Sequence, residues 1–373
     1  MKKIGIVTFH RAKNYGAMLQ AYALQETLGQ YFDASIVDYR SPRLEKQYYK
    51  HHSTLKKKIK GIAKWILQTK YMYSIAQKDR MFDKFQRDFY LTEEKYTPDN
   101  IKLANEKYDC FISGSDQIWN MTWSDHDWNY YLEFAEDGKK YSYAASMGTS
   151  FPEEERDRVR NDVMRYNSVL VREQQGKNLL QSIGVEKDIC VTCDPVFLLS
   201  QNEWIRKLGL HQRTKKKKRG YLLFYYVAEP TNALEFASTI AIENDWEIVL
   251  LNIRASKETP ENVKSVIEIG PKEFLEYILD AEMVVTTSFH AMAFSLILNK
   301  PFYYELCRNK SNNNDRLIDL AAVCGVSDRE ITMADQQYSV NMEWQSINEK
   351  LNSYAIKSKK TLLHALNEIG GVE

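Results

Sequence analysis

Short apolar runs alternate with helical periodicity from the first residues onward. Ile4 to Phe9 reads as a buried strand, "HRAKNYG" as a loop, and Ala17 to Leu28 as a helix with Ala17, Ala21, Leu24 and Leu28 on one face. The run "ASIVDY" at 34–39 predicts the next strand. Strand, loop, helix and strand in succession make a βαβ unit, which implies a parallel sheet.

Residues 41–100 break this rhythm and read as a helical insertion. Within it, "LKKKIKGIAKWILQTKYMY" places Leu55, Ile59, Ile62, Ala63 and Ile66 at helical spacing with lysines between them. That pattern suits a solvated helix packed on the domain, or a basic amphipathic helix in peripheral contact with an anionic inner-membrane surface. Strands resume at "YDCFISGSDQIW" (108–119), "KYSYAASMG" (140–148), "SVLVRE" (168–173) and "DICVTCDP" (188–195). An acidic helix opens at "PEEERDRVR", with Pro152 at its first position. "HQRTKKKKRG" (211–220) is a charge run without apolar periodicity and reads as a linker.

A second series follows. "YLLFYYVAEP" is a strand, 231–244 a helix, "WEIVLLN" a strand, "PKEFLEYILDA" a helix, "MVVTTS" a strand, 291–298 a helix and "PFYYEL" a strand. The stretch from Trp344 to Ile369 is helical. The expected fold is α/β, two Rossmann-like domains with parallel sheets facing across a cleft. The expected division is an N-terminal Rossmann-like domain (1–205), a basic linker (206–220), a C-terminal Rossmann-like domain (221–335) and a helical tail (336–373).

Composition adds few constraints. A chain of 373 residues exceeds the usual single core. Apolar residues at 44% and charged residues at 27% exclude wholesale disorder, and a net charge of +1 argues against a polyanion binder. The lysine runs at 56–60 and 215–218 lack interleaved aromatics and a recognisable module, so no nucleic-acid role is expected. Five cysteines fit a reducing compartment. The N-terminal apolar run ends at His10-Arg11 with no small-residue cleavage site, and no segment reaches the length of a membrane span. The expected location is cytoplasmic.

In open α/β sheets ligands bind beyond the carboxyl ends of strands, and the polar residues of interest fall there. Asn14, Tyr15 and Gly16 follow the first strand, and Gly16 enters a helix N-terminus receptive to anions or hydroxyls; alternatively Asn14 is a helix cap. The spacing is not G-x-G-x-x-G, so a dinucleotide fingerprint is absent. Gly114, Ser115, Asp116 and Gln117 follow the strand at 110–113, where Asp116 either orients a sugar hydroxyl or caps a turn. Arg172 ends an apolar run and must reach solvent or find an anion, either a ligand or its neighbour Glu173. Ser288 and His290, two apart, share one side if the backbone stays extended; His290 then meets an anionic ligand or is a core histidine bonded to a carbonyl. Cys190 and Cys193 in "CVTC" would point to opposite faces of a strand and read as buried hydrophobes, and "SDHDW" around His126 as a solvated loop. No metal site is expected.

Taken in order, "KIGIVTFHRAKNYGAMLQAYALQ", "YDCFISGSDQIWN", "YAASMG", "VLVRE", "CDPVFLL" and "GPKEFLEYILDAEMVVTTSFHAMAFSLILNKPF" resemble the polysaccharide pyruvyl transferase family over most of residues 1–325. The resemblance implies a GT-B-like fold and transfer of a pyruvyl group from phosphoenolpyruvate to a sugar, usually as a ketal on two hydroxyls in surface polysaccharide biosynthesis. Phosphoenolpyruvate is then a co-substrate, with no separate cofactor. The resemblance puts the donor-binding arginine at Arg172, where it would also offset charge on the departing phosphate, and the histidine at His290 as the candidate acid/base, with Ser288 beside it at the donor. Where the family usually has Gly after this histidine, the chain has Ala291. Arg316 in "NNNDRL" either adds charge to the donor pocket or caps a helix. Asn14, Gly16, Ser115, Asp116 and Gln117 are assigned to the acceptor, a sugar or lipid-linked oligosaccharide. Two other readings compete: a GT-B glycosyltransferase using a nucleotide sugar, and a non-catalytic carbohydrate-binding protein.

Overall fold

The computed structural model describes residues 1–49, 62–88, 91–148, 150–211, 219–251, 263–307 and 314–370. Leu55, Ile59, the lysine runs 56–60 and 215–218 and residues 312–313 lie outside them. The chain divides into two compact units. The first comprises Met1–Lys57, Gln86–Leu199 and Asn352–Glu373; the second comprises Lys58–Phe85 and Ser200–Leu351.

The first unit is built on β1 (Lys3–Val7), β2 (Asp33–Tyr39), β3 (Leu91–Tyr96), β4 (Cys110–Ser113) and β5 (Lys140–Ser142). These strands are parallel, in the order β3-β2-β1-β4-β5. The inner strands β1 and β4 are apolar on both faces, and Ile4, Ile6, Val7, Phe111 and Ile112 are fully buried, as a parallel sheet covered on both sides requires. β6 (Val169–Val171) and β7 (Ile189–Val191) form a parallel pair. Single bridges from Tyr141 to Ser168 and from Ala145 to Val171 join β6 to the β5 segment.

The second unit repeats the plan with β8 (Tyr221–Tyr225), β9 (Glu247–Leu251), β10 (Val263–Val266), β11 (Met283–Thr286) and β12 (Phe302–Tyr304). Its parallel order, β10-β9-β8-β11-β12, has the same sequence of crossovers as the first sheet. In both sheets the order reverses beside the first strand, between β1 and β4 and between β8 and β11. Such switch points open a crevice at the carboxyl ends of the strands.

Several local expectations change. The first helix spans Tyr15–Leu28, two residues longer at its start than the apolar face indicates, because the Asn14 side chain accepts the Ala17 N–H at 3.2 Å and sets the true cap. The segment 41–100 is not wholly helical: it holds the helix Ile62–Arg87 and the edge strand β3. The strand predicted over 140–148 stops at Ser142, since Ala144 takes the left-handed conformation at φ 49°. Residues 153–155 form a 3-10 turn ahead of the helix Arg156–Met164, so Pro152 precedes that turn instead of starting the helix. Residues 344–366 are helical, followed by a 3-10 turn at Asn367–Ile369.

Candidate functional site

In the second unit, β11 leads into the helix Phe289–Ile297, all nine residues of which are buried. Ser288 is extended (φ −102°, ψ 127°), and its hydroxyl oxygen accepts the Ala291 N–H at 3.4 Å. Ser288 is therefore the N-cap, and the helix begins two residues before the predicted 291. His290 lies in the first helical turn, so Ser288 and His290 do not share one extended face. His290 is the one titratable side chain of this helix. It is 8% exposed, and its ring meets the edge of Phe289, with centroids 5.2 Å apart. From the helix Asp315–Cys324, Arg316 places its guanidinium carbon 5.8 Å from the centroid of the same Phe289 ring. Both His290 and Arg316 therefore lie against the Phe289 ring.

In the first unit, Arg172 follows β6 and is almost fully buried. Its Nε donates to Glu173 Oε1 and its Nη1 to Asp194 Oδ2, both at 2.8 Å. Burial alone would lower the arginine pKa, but the charges of Glu173, Asp194 and Asp116 outweigh it and raise the value. Ser115 joins the group by donating from Oγ to Asp194 Oδ2 at 3.1 Å, and its carbonyl accepts the Thr8 hydroxyl at 3.0 Å. Asp194 Oδ1 accepts the Val196 N–H at 3.1 Å, so this one carboxylate ties together the ends of β4, β6 and β7.

Asp116 adopts φ 73°, a left-handed conformation uncommon outside glycine, and accepts its neighbour's N–H from Gln117 at 2.8 Å. The Gln117 side-chain oxygen Oε1 accepts from Asn120 Nδ2 at 2.9 Å. Both side chains pack over Gly148, where a Cβ would fall 2.4 Å from Asn120 Nδ2 and 2.6 Å from Gln117 Oε1, and its φ of 73° also favours glycine. Strained backbone at Asp116 and Ala144 therefore gathers at the carboxyl ends of β4 and β5. Asn14 and Gly16 sit at the start of the helix Tyr15–Leu28, with the Asn14 oxygen engaged as the cap.

A charged cluster not singled out from the sequence lies at the ends of β1 and β2. His10 directs Nδ1 at the Thr8 carbonyl (3.1 Å) and Nε2 at Asp38 Oδ1 (3.4 Å). Arg40 Nη2 donates to Asp38 Oδ2 at 3.1 Å, and Arg11 lies 3.7 Å from Asp38 Oδ1. Arg11 also bonds Glu45 and stacks 4.2 Å over the Tyr49 ring. Burial pushes the Asp38 carboxyl up, but hydrogen bonds and charge from His10 and then Arg40 win and bring it down to about 2. Both His10 nitrogens are spent on protein oxygens, so this histidine anchors the loop that carries Asn14. The clue in the sequence is oppositely charged residues near the ends of adjacent strands, Arg11 beside His10 and Asp38.

The structure thus groups Ser115, Asp116 and Arg172 in one unit, and Ser288, His290 and Arg316 around Phe289 in the other. Cys190 is part-exposed, while Cys193 is buried with its Sγ 3.6 Å from the Tyr143 hydroxyl. Among the described residues, no group of three or more His, Cys, Asp and Glu side chains suits a metal ion, and no helix is long and apolar enough to cross a membrane.

No curated protein matches the chain significantly. Among solved structures, the UDP-GlcNAc 2-epimerase of Methanocaldococcus jannaschii in complex with UDP-GlcNAc and UDP is similar at 15% identity, with a TM-score of 0.52 over 99% of this chain and 100% of that one. A second structure of the M. jannaschii enzyme gives 12% identity and a TM-score of 0.54 over the same shares. A further UDP-N-acetylglucosamine 2-epimerase gives 13% and 0.51 over 99% and 96%. At such identities the likeness concerns the fold, and the fold is α/β and GT-B-like, with two five-stranded parallel sheets. Sequence likeness reaches further: the pattern of one transferase family, polysaccharide pyruvyl transferase, matches residues 14–304, and the chain belongs to that family.

Proposed function

We propose that this protein transfers a pyruvyl group from phosphoenolpyruvate to two hydroxyls of a sugar, forming a pyruvate ketal and inorganic phosphate. The observation that carries the reading is His290, the one titratable group of a buried helix, in its first turn at the carboxyl end of β11, with Arg316 against the same Phe289 ring. A helix N-terminus favours negative charge, and a guanidinium suits phosphate or carboxylate. Phosphoenolpyruvate presents both groups.

The chemistry balances without an oxidant or reductant. A proton adds to the methylene carbon, and C2 becomes oxocarbenium-like. One sugar hydroxyl bonds to C2 and releases its proton. The C2–O bond to phosphate then breaks as the second hydroxyl closes the ketal, and phosphate departs with the second proton. His290 supplies the acid and base for these transfers, worth about 10²–10⁴-fold in rate. Arg316 offsets charge on the departing phosphate. Ser288 positions the helix start. Asn14, Gly16, Ser115, Asp116 and Gln117 are proposed for the acceptor sugar or lipid-linked oligosaccharide.

The resemblance also gives Arg172 a donor contact. That role is tested by its own variant, because its two carboxylate partners give it a structural duty as well. A donor screen tests the reading as a whole. Phosphate release that needs both phosphoenolpyruvate and a glycoside supports it; nucleotide release from a nucleotide sugar, with phosphoenolpyruvate inert, would replace it with glycosyl transfer.

A further inference from the structure

The loop between β8 and the helix Ala233–Glu243 occupies the place where an open parallel sheet most readily takes a phosphate. It follows the central strand, lies at the switch point beside β11, and ends at a helix N-terminus. In this chain five backbone donors of the loop and helix start are already engaged by two buried side chains. Thr287, just past β11, accepts the Val227 N–H at 3.1 Å and the Ala228 N–H at 3.3 Å, and returns its own hydroxyl to the Ala228 carbonyl at 3.1 Å. Glu305, just past β12, accepts the Thr231 N–H at 2.9 Å, the Asn232 N–H at 2.7 Å and the Ala233 N–H at 3.1 Å.

Glu305 is 3% exposed, and its backbone N–H donates to the Thr286 carbonyl at 2.9 Å, which ties the residue to β11. A buried carboxylate needs compensating donors, and three successive backbone N–H groups form the kind of concavity that binds anions. The nest is therefore a working anion site whose occupant is part of the protein. An incoming phosphate would have to displace that carboxylate and meet its charge. The helix start on the other side of the switch point is dressed differently: its cap is the neutral hydroxyl of Ser288, and His290 and Arg316 lie beside it.

We propose that Glu305 is a specificity-determining residue that closes the β8 loop of the second unit to nucleoside diphosphates, so that this unit accepts a small anion only at the helix Phe289–Ile297. The inference deepens the functional reading above by naming the donor class that is refused, and it rests on that reading only for the donor that is accepted.

The test is UDP binding by the full chain, measured by isothermal titration in low salt. The wild type is expected to show no saturable binding at millimolar UDP. Glu305→Ala is expected to bind UDP at least tenfold more tightly than the wild type. Should Glu305→Ala fail to fold by circular dichroism, Glu305→Ser carries the same expectation. Saturable UDP binding by the wild type, or a folded Ala or Ser variant no better than the wild type, would overturn the proposal. Because the readout is binding of a nucleotide, a failure of phosphoenolpyruvate turnover leaves the result interpretable.

Discussion

Arg172 shows how much a single side chain carries in this fold. Its guanidinium is held by Glu173 and Asp194, and Asp194 also receives Ser115 and the Val196 N–H. Arg172→Ala leaves two buried carboxylates without their counter-charge, and losing one partner of such a group costs about 3–5 kcal/mol. Urea denaturation of the variant should show a loss of that size; an unchanged midpoint would mean that the charges are relieved elsewhere. Asp38 gives a pH signature. Its folded carboxyl sits at about 2 against an ordinary 3.8. A depressed carboxylate stabilises the fold above the ordinary value, and that contribution is lost as pH falls through the folded one. The difference in stability between wild type and Asp38→Asn should therefore be about 2 kcal/mol near neutrality and shrink between about pH 4 and pH 2. A difference that stays constant across that window would contradict the assignment. The adjacent Glu173 was legible in the sequence as a partner for Arg172. Asp194 was not, nor was the pairing of Asp38 with His10 and Arg11, because these partners come from distant segments and only the sheet order brings them together.

At the scale of elements, the strands most easily read were the buried ones. β1, β4, β8 and β11 are runs of apolar residues, and each was located within a few residues. The edge strands β3 ("LTEEKY") and β10 ("VKSV") escaped notice because an edge strand needs few apolar positions and takes its conformation from its neighbour. Helix starts shifted for a related reason: apolar periodicity marks the packed face, whereas a cap marks the end. Asn14 and Ser288 both moved a helix start two residues ahead of the apolar pattern. Asn14→Ala separates the two duties offered for that residue. Loss of the cap should cost about 1 kcal/mol in thermal or urea stability. An acceptor contact would in addition raise the KM for the glycoside while leaving that for phosphoenolpyruvate unchanged. A variant with normal stability and a raised acceptor KM would remove the capping role.

For the whole molecule, two parallel sheets with the same crossover order and a family match over residues 14–304 define the fold and the family; the alternation of strands and helices foreshadowed the first, and the ordered series of motifs the second. The acceptor was not legible, because hydroxyl recognition rests on short polar side chains such as Asn14, Ser115 and Gln117 that serve equally as caps and turn bonds. The most direct measurement incubates the protein with phosphoenolpyruvate and a panel of galactosides and N-acetylhexosamine glycosides, then reads product mass and free phosphate together. The account predicts a glycoside heavier by one pyruvate less one water, one phosphate released per product, and turnover reduced about 10²–10⁴-fold in a folded His290→Ala variant. Full turnover in that variant, or no phosphoenolpyruvate-dependent product with any glycoside of the panel, would contradict it.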